Sequence, residues 1–328
     1  MVKIIEPNIM QKISSWIIHN LKFLFIPGYH LEDLDARQAQ YESLSLKKRH
    51  YNRFKSPFFI IGISIITILF TLAVFQDWFS PYTYLEATTY SGLDITEQTY
   101  APPSPEHPLG QTFIGFDILA RLIFGVRPFL VFTLASTFFA SLIGIFIGAI
   151  SAYYGGWLDT IVMRGIEIIL SFPGVVFAII CLTIWGRDFT YLVIAYSIIG
   201  IPYFARLIRT IALKEKELPY IAAGKVAGAK DFRIIFKHIL PNCSQPLIVA
   251  ASYNISRNLL SLSVLGFLRL HGINWIEWGT DIAWSINYML SFPWAIIYPS
   301  LMILISVLGF LLLGDSLSDV DSLRLEKL

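Results

Sequence analysis

Six stretches of this chain are apolar over roughly twenty residues each, and that property alone removes most folds from consideration. They cover 57–76, 129–152, 161–185, 190–210, 244–268 and 291–314. Inside a bilayer every backbone donor and acceptor must find its partner within the segment or a closed barrel, and runs of this length answer that demand as helices. The expected fold class is an all-α membrane protein with six transmembrane helices. Composition agrees: of 328 residues, 55% are hydrophobic and only 15% charged, far from the balance of a water-soluble domain.

Charge is placed unevenly, and the asymmetry sets orientation. Ahead of the first stretch stand Lys3, Lys12, Lys22, Arg37, Lys47, Lys48, Arg49, Arg53 and Lys55. Between the fourth and fifth stand Arg206, Arg209, Lys214, Lys216, Lys225, Lys230, Arg233 and Lys237. Six crossings put both regions on one side, the cytoplasmic one, together with both termini. The other side receives 77–128, where Arg121 and Arg127 face Asp77, Glu86, Asp94, Glu97, Glu106 and Asp117. The expected plan is a cytoplasmic extension (1–56), a first transmembrane helix (57–76), an extracytoplasmic loop (77–128), a core (129–318) and a cytoplasmic tail (319–328). Within the extension, 16–27 is apolar but interrupted by His19, Asn20 and Lys22; it is too short to span and reads as an amphipathic helix on the membrane surface. It lacks the small-residue cleavage site of a signal peptide. Cys181 and Cys243 read as ordinary thiols, and the six histidines show no metal-ligand spacing.

The basic segment at 218–242 is too long and too patterned for a linker. Pro219 suits the first turn of a helix, where its missing N–H costs nothing. That helix should run to about Ala227, and Gly228 permits a sharp change of direction. From Asp231 onward, Phe232, Ile235, Phe236, Ile239 and Leu240 recur at helical spacing, with Lys230, Arg233 and Lys237 on the other face. Pro241 closes the unit. Two readings follow from the residues: a basic helix pair bound to lipid headgroups, or a docking element for a cytoplasmic partner.

This pattern resembles the cytoplasmic "EAA" loop of permease subunits of ABC importers. Ala222, Ala223 and Gly224 stand where the Glu-Ala-Ala triplet falls, Gly228 at its glycine, and Ile239-Leu240-Pro241 at its end; the triplet's glutamate is here Ala222. Further blocks are similar to the OppC/DppC-like branch. They are His107-Pro108-Leu109-Gly110 with Gly115, Asp117, Arg121 and Gly125-Val126-Arg127; Tyr153-Tyr154-Gly155-Gly156-Trp157 with Asp159, Arg164, Glu167 and Phe172-Pro173; and Trp278-Gly279, Pro293-Trp294, Pro299 and Leu313-Gly314-Asp315-Ser316-Leu317. Thr112 and Phe116 depart from the first block.

The resemblance implies the type I ABC importer (MetI-like) permease fold. It also implies a homologous second permease (OppB/DppB-like), two ATPase subunits and an extracytoplasmic solute-binding protein as partners, with membrane lipid around the chain and no nucleic acid. No Gly-x4-Gly-Lys-Ser/Thr loop is present, so no cofactor is expected on this chain; ATP and Mg would be used by the partner subunits, and the chain is not expected to be an enzyme. The helix from Pro219 would be the coupling helix, with Tyr220, Ile221, Ala222, Ala223, Val226, Gly228, Ile239, Leu240 and Pro241 as the ATPase-coupling residues. The cargo implied is oligopeptides or dipeptides, with oligosaccharides, nickel or a metal-chelate as alternatives. A stand-alone secondary transporter is a distant one and would leave the basic segment unexplained.

In the fifth stretch, Asn254, Arg257, Asn258 and Ser261 share a helical face. A mid-membrane arginine costs about 2.5–3.5 kcal/mol on insertion scales, so it should meet water or a partner. Either this face lines the translocation path, or Arg257 pairs with an acid and locks an interface. Arg164 and Glu167, one turn apart, read as a local ion pair.

Overall fold

The computed structural model describes residues 56–88, 100–270 and 275–318. The expected surface helix at 16–27, His19, His30, His50, His271 and the tail lie outside the described residues.

The described chain is helical. α1 (Pro57–Val74) opens on Pro57 and is followed by the short α2 (Gln76–Phe79) and α3 (Tyr84–Thr88). α4 (Ile118–Tyr154) runs for 37 residues, about 55 Å at 1.5 Å per residue. It begins where a loop was expected, because the Asp117 side chain accepts from the Ala120 N–H at 2.7 Å and caps the helix well ahead of the apolar run. α5 (Gly156–Leu170) and α6 (Gly174–Trp185) take the place of the single span expected at 161–185. They meet at 84°, broken at Ser171-Phe172-Pro173, where the proline cannot continue the helical ladder. α7 (Phe189–Lys216) outruns its expected end at 210.

After the basic segment come α11 (Ser244–Phe267), the short α12 (Trp278–Ser285) and α13 (Trp294–Ser318); the intervening α8 to α10 are described below. Four helices, α1, α4, α7 and α13, are long and apolar enough to cross a membrane, and the bent α5–α6 pair makes a fifth candidate. The 24-residue α11 does not meet the same measure. The reason is its interior face, where Ser252, Asn254, Ser256, Asn258 and Ser263 are buried.

The main core joins α1, α4, α7, α11, α12 and α13 around Phe129, Phe132, Leu259, Leu262 and Trp278. α4 and α7 lie along each other at very short range. A Cβ on Gly148 would stand 2.4 Å from the Ala205 carbonyl oxygen, and one on Gly144 2.6 Å from the Phe204 Cβ. Small residues admit this approach, and dispersion between the two backbones holds helices together where lipid supplies no hydrophobic drive.

Candidate functional site

The basic segment folds as a helix, a bend and a second helical stretch. α8 spans Pro219–Val226, with Pro219 in its first turn as the sequence suggests. Gly228 adopts φ +79, a left-handed conformation that a side chain would strain, and the chain turns there. α9 (Asp231–Ile234) then passes into a π-helical turn at Ile235–Ile239 and the short α10 (Leu240–Asn242). Ahead of the π-turn the inward residue is not the expected one. Phe232 is 70% exposed, whereas Ile234, absent from the expected stripe, is buried with Ile235 and Ile239. An i→i+5 turn inserts an extra residue per turn, and a stripe drawn at one constant period misses that shift.

α8 is amphipathic in a particular way. Ile221 is 1% exposed and packs with Ile208, Ile234, Ile239 and Cys243 beneath the segment. It therefore anchors α8 to its own bundle rather than forming part of the outer surface. Val226 is 90% exposed, and Ala222, Ala223, Ala227 and Gly228 are also exposed, giving a small-residue apolar surface. Tyr220 lies at the edge and donates its hydroxyl to Glu215 at 2.6 Å, while Asn242 donates to the same carboxylate at 2.8 Å. Glu215 thus clasps the beginning and the end of the segment. Burial and the Glu215 charge push the Tyr220 hydroxyl up to about 12, so it stays a donor. Burial also pushes the Cys243 thiol up to about 11, which leaves it an unreactive neutral side chain.

Two links tie this unit to the long helices. The Tyr153 hydroxyl donates to Asp231 at 2.6 Å, while the Lys216 ammonium bonds the Tyr153 carbonyl at 2.5 Å and so covers the end of α4. Lys225 of α8 sits over the Tyr153 ring, 5.0 Å from its centre. One turn further, Arg209 grips Asp159 through two bonds of 2.6 and 2.5 Å, and Ser151 also donates to Asp159, joining α4, α5 and α7. Arg164 and Glu167 form the expected local pair, exposed, at 2.7 Å.

The polar face of α11 divides in two. Asn254 and Asn258 are buried in a network with α4: Thr137 donates to Asn254 at 2.9 Å, and Asn258 donates to Ser136 at 3.0 Å and to Asn254 at 3.1 Å. Arg257 and Ser261, together with Asn258, line a cavity of about 390 Å³ beside the α5–α6 bend. Among the described residues Arg257 forms no ion pair; its guanidinium lies 5.3 Å from the centre of the Tyr203 ring. The pairing with an acid that the sequence left open is not made within the described chain.

The opposite end of the bundle is held by buried charge. Arg121 meets Asp281 at 2.8 Å and the Ala87 carbonyl at 2.8 Å, between the rings of Phe116 and Trp284. Phe116, one of the departures from the family block, is thus packed against the arginine of that block. His107 contacts Asp117 at 3.0 Å and Gln111 at 2.8 Å. Glu277 is fully buried and caps α12 by accepting from Gly279 and Thr280 at 2.9 and 2.8 Å. Burial outweighs those donors and pushes its carboxyl up to about 8.

Comparison with known proteins gives a consistent result. The family model described as "Binding-protein-dependent transport system inner membrane component" matches residues 114–326. A dipeptide transport system permease protein, DppC, of Alkalihalophilus pseudofirmus is 33% identical over 284 residues, covering 86% of this chain and 91% of its own. DppC of Haemophilus influenzae is 34% identical, covering 82% and 91%. The oligopeptide transport system permease protein OppC of Bacillus subtilis is 30% identical, covering 89% and 94%.

Proposed function

We infer, from the premise that this chain belongs to the family of binding-protein-dependent transport system inner membrane components, that it is the permease subunit of an ATP-driven peptide importer. It is a multi-pass protein of the cell membrane. The relatives named for dipeptide and oligopeptide transport support peptides as the cargo. In this reading α11 is the crossing that completes six, its polar interior satisfied by α4, and the positive-inside rule supports cytoplasmic termini. The partners are a homologous second permease, two ATPase subunits that use ATP and Mg, and an extracytoplasmic solute-binding protein; this chain itself binds no cofactor.

The observation that carries the mechanism is the two-sided character of α8. Ile221 fixes it to the bundle while Ala222, Ala223 and Val226 face outward, with Gly228 setting the turn. Ile239 and Leu240 pack the returning chain against the same cluster as Ile221, with Pro241 following at the exposed surface. A helix anchored on one side and apolar on the other can seat in a groove of an ATPase and carry a rigid-body movement of that partner into the bundle. The expected acid of the triplet is Ala222, so docking here rests on shape and apolar contact. Replacing Ala223 with glutamate should leave the permease folded, since the site is exposed, yet uncouple ATP hydrolysis from uptake in the reconstituted complex. Full retention of coupled uptake would refute the docking assignment.

A further inference from the structure

The cavity beside the α5–α6 bend has a chemistry that the coupling mechanism leaves unused. Arg206 of α7 and Arg257 of α11 both line it, and no carboxylate does. Neither guanidinium has an ion-pair partner among the described residues. Counting about 1.5 Å per residue, Arg206 lies about 15 Å from the α7 end next to the basic segment, and Arg257 about 20 Å from the corresponding end of α11. Arg257 thus sits near the middle of α11, where an unneutralised cation is costly, whereas Arg206 lies toward the basic end of α7, and both are exposed in the isolated chain. Tyr203 holds the Arg257 guanidinium in place from one side without neutralising it. The Tyr196 hydroxyl is buried beside Ser261 on the cavity wall. Phe172 at the bend completes an apolar wall. The volume of about 390 Å³ falls in the range of about 300–1,000 Å³ typical of sites for small organic ligands.

Two guanidinium groups on one cavity, hydroxyls at Tyr196 and Ser261, and an aromatic wall match an organic acid: the planar fork of arginine bonds a carboxylate through two parallel N–H donors, and the rings accept an apolar body. We propose that this cavity is a subsite on the translocation path that receives the free carboxylate of the cargo on Arg257 and Arg206, with Tyr203 and Phe172 against its apolar part. This rests on the importer reading and adds a chemical selectivity to it. A carboxylate of the second permease is the other source of the same chemistry.

The test uses the assembled complex with alanyl-phenylalanine and its C-terminal amide as probes. At millimolar concentration the free acid should raise the thermal midpoint of the wild-type complex and the amide should not; Arg257→Gln should abolish the shift, and Arg206→Gln should diminish it. Uptake of the acid into proteoliposomes should fall about tenfold to hundredfold in Arg257→Gln, the scale expected for a lost charge-assisted hydrogen bond, with Arg257→Lys intermediate. Equal stabilisation of wild type by acid and amide would overturn the proposal, as would an acid preference that survives in Arg257→Gln. Loss of the second permease from both Arg257→Gln and Arg206→Gln on purification would also overturn it, assigning the cations to that interface. Selective stabilisation without any peptide uptake by wild type would leave the subsite standing and count against the peptide-importer reading.

Discussion

The Tyr153 hydroxyl donates to the Asp231 carboxylate at 2.6 Å, joining the last turn of α4 to the first residue of α9 across 78 positions of sequence. Lys225 of α8 lies over the same ring. Tyr153 is thus a point where movement of the basic segment reaches a 37-residue helix that runs to the opposite end of the bundle. Tyr153→Phe keeps the ring and removes the bond. The assembled complex should hydrolyse ATP at a near-normal rate while uptake per ATP falls several-fold, measured side by side in proteoliposomes.

The α4–α7 contact should tolerate no side chain at Gly148. A Cβ there meets the Ala205 carbonyl oxygen at 2.4 Å, a backbone atom that cannot rotate away. Gly148→Leu should destabilise the fold by about 1–3 kcal/mol or more, the usual penalty for overpacking, and lower the thermal midpoint in detergent. Gly224→Ala, where a Cβ meets nothing within 4 Å, is the control and should leave the midpoint unchanged.

Arg121 and Asp281 form a buried pair, so losing one member should cost more than losing both. Arg121→Leu or Asp281→Leu alone leaves a desolvated charge and should cost about 3–5 kcal/mol. The double variant should recover a large part of that loss. A double-mutant cycle on thermal or denaturant unfolding checks the non-additivity.

Glu277 gives stability a distinctive pH dependence. Its carboxyl, ordinarily near 4.5, is raised to about 8 by burial, with the nearby Asp281 charge acting in the same direction. Between those values the folded state holds a proton that the unfolded chain has released, so stability falls as pH rises from about 4.5 to about 8 and levels off above. Glu277→Gln, which keeps the shape and an acceptor for the α12 cap, should flatten that slope. The thermal midpoint across this pH window is the measurement.

The sequence made some of this architecture readable and concealed the rest for definite reasons. Pro219 and Gly228 mark the start of α8 and the turn after it because each has a conformational property that its position requires. The stripe was legible at Ile235 and Ile239, both buried as its spacing implies, but not ahead of the π-turn, where Ile234 rather than Phe232 faces inward. On α11, Asn254 and Asn258 share a face with Arg257 and Ser261 by spacing. In the fold Asn254 and Asn258 reach Ser136 and Thr137, while Arg257 and Ser261, with Asn258, face the cavity. Those partners lie more than a hundred residues away, and no local pattern encodes them. The bend at Phe172-Pro173 carried a signal, a proline within an apolar run, that a count of apolar residues overlooks. The Glu215 clasp on Tyr220 and Asn242 offered none, being assembled only when the segment folds back.

In the proposed mechanism the exposed face of α8 seats in an ATPase subunit while its buried face stays with the bundle. Site-directed cross-linking tests it most directly: a cysteine at Val226, 90% exposed, against one at Leu290, 91% exposed near the opposite end, each paired with cysteines placed along the ATPase groove. Val226→Cys should cross-link efficiently, with a yield that changes when ATP is bound, and Leu290→Cys should give no cross-link. Absence of any cross-link from Val226→Cys in an assembled, transport-active complex would contradict it.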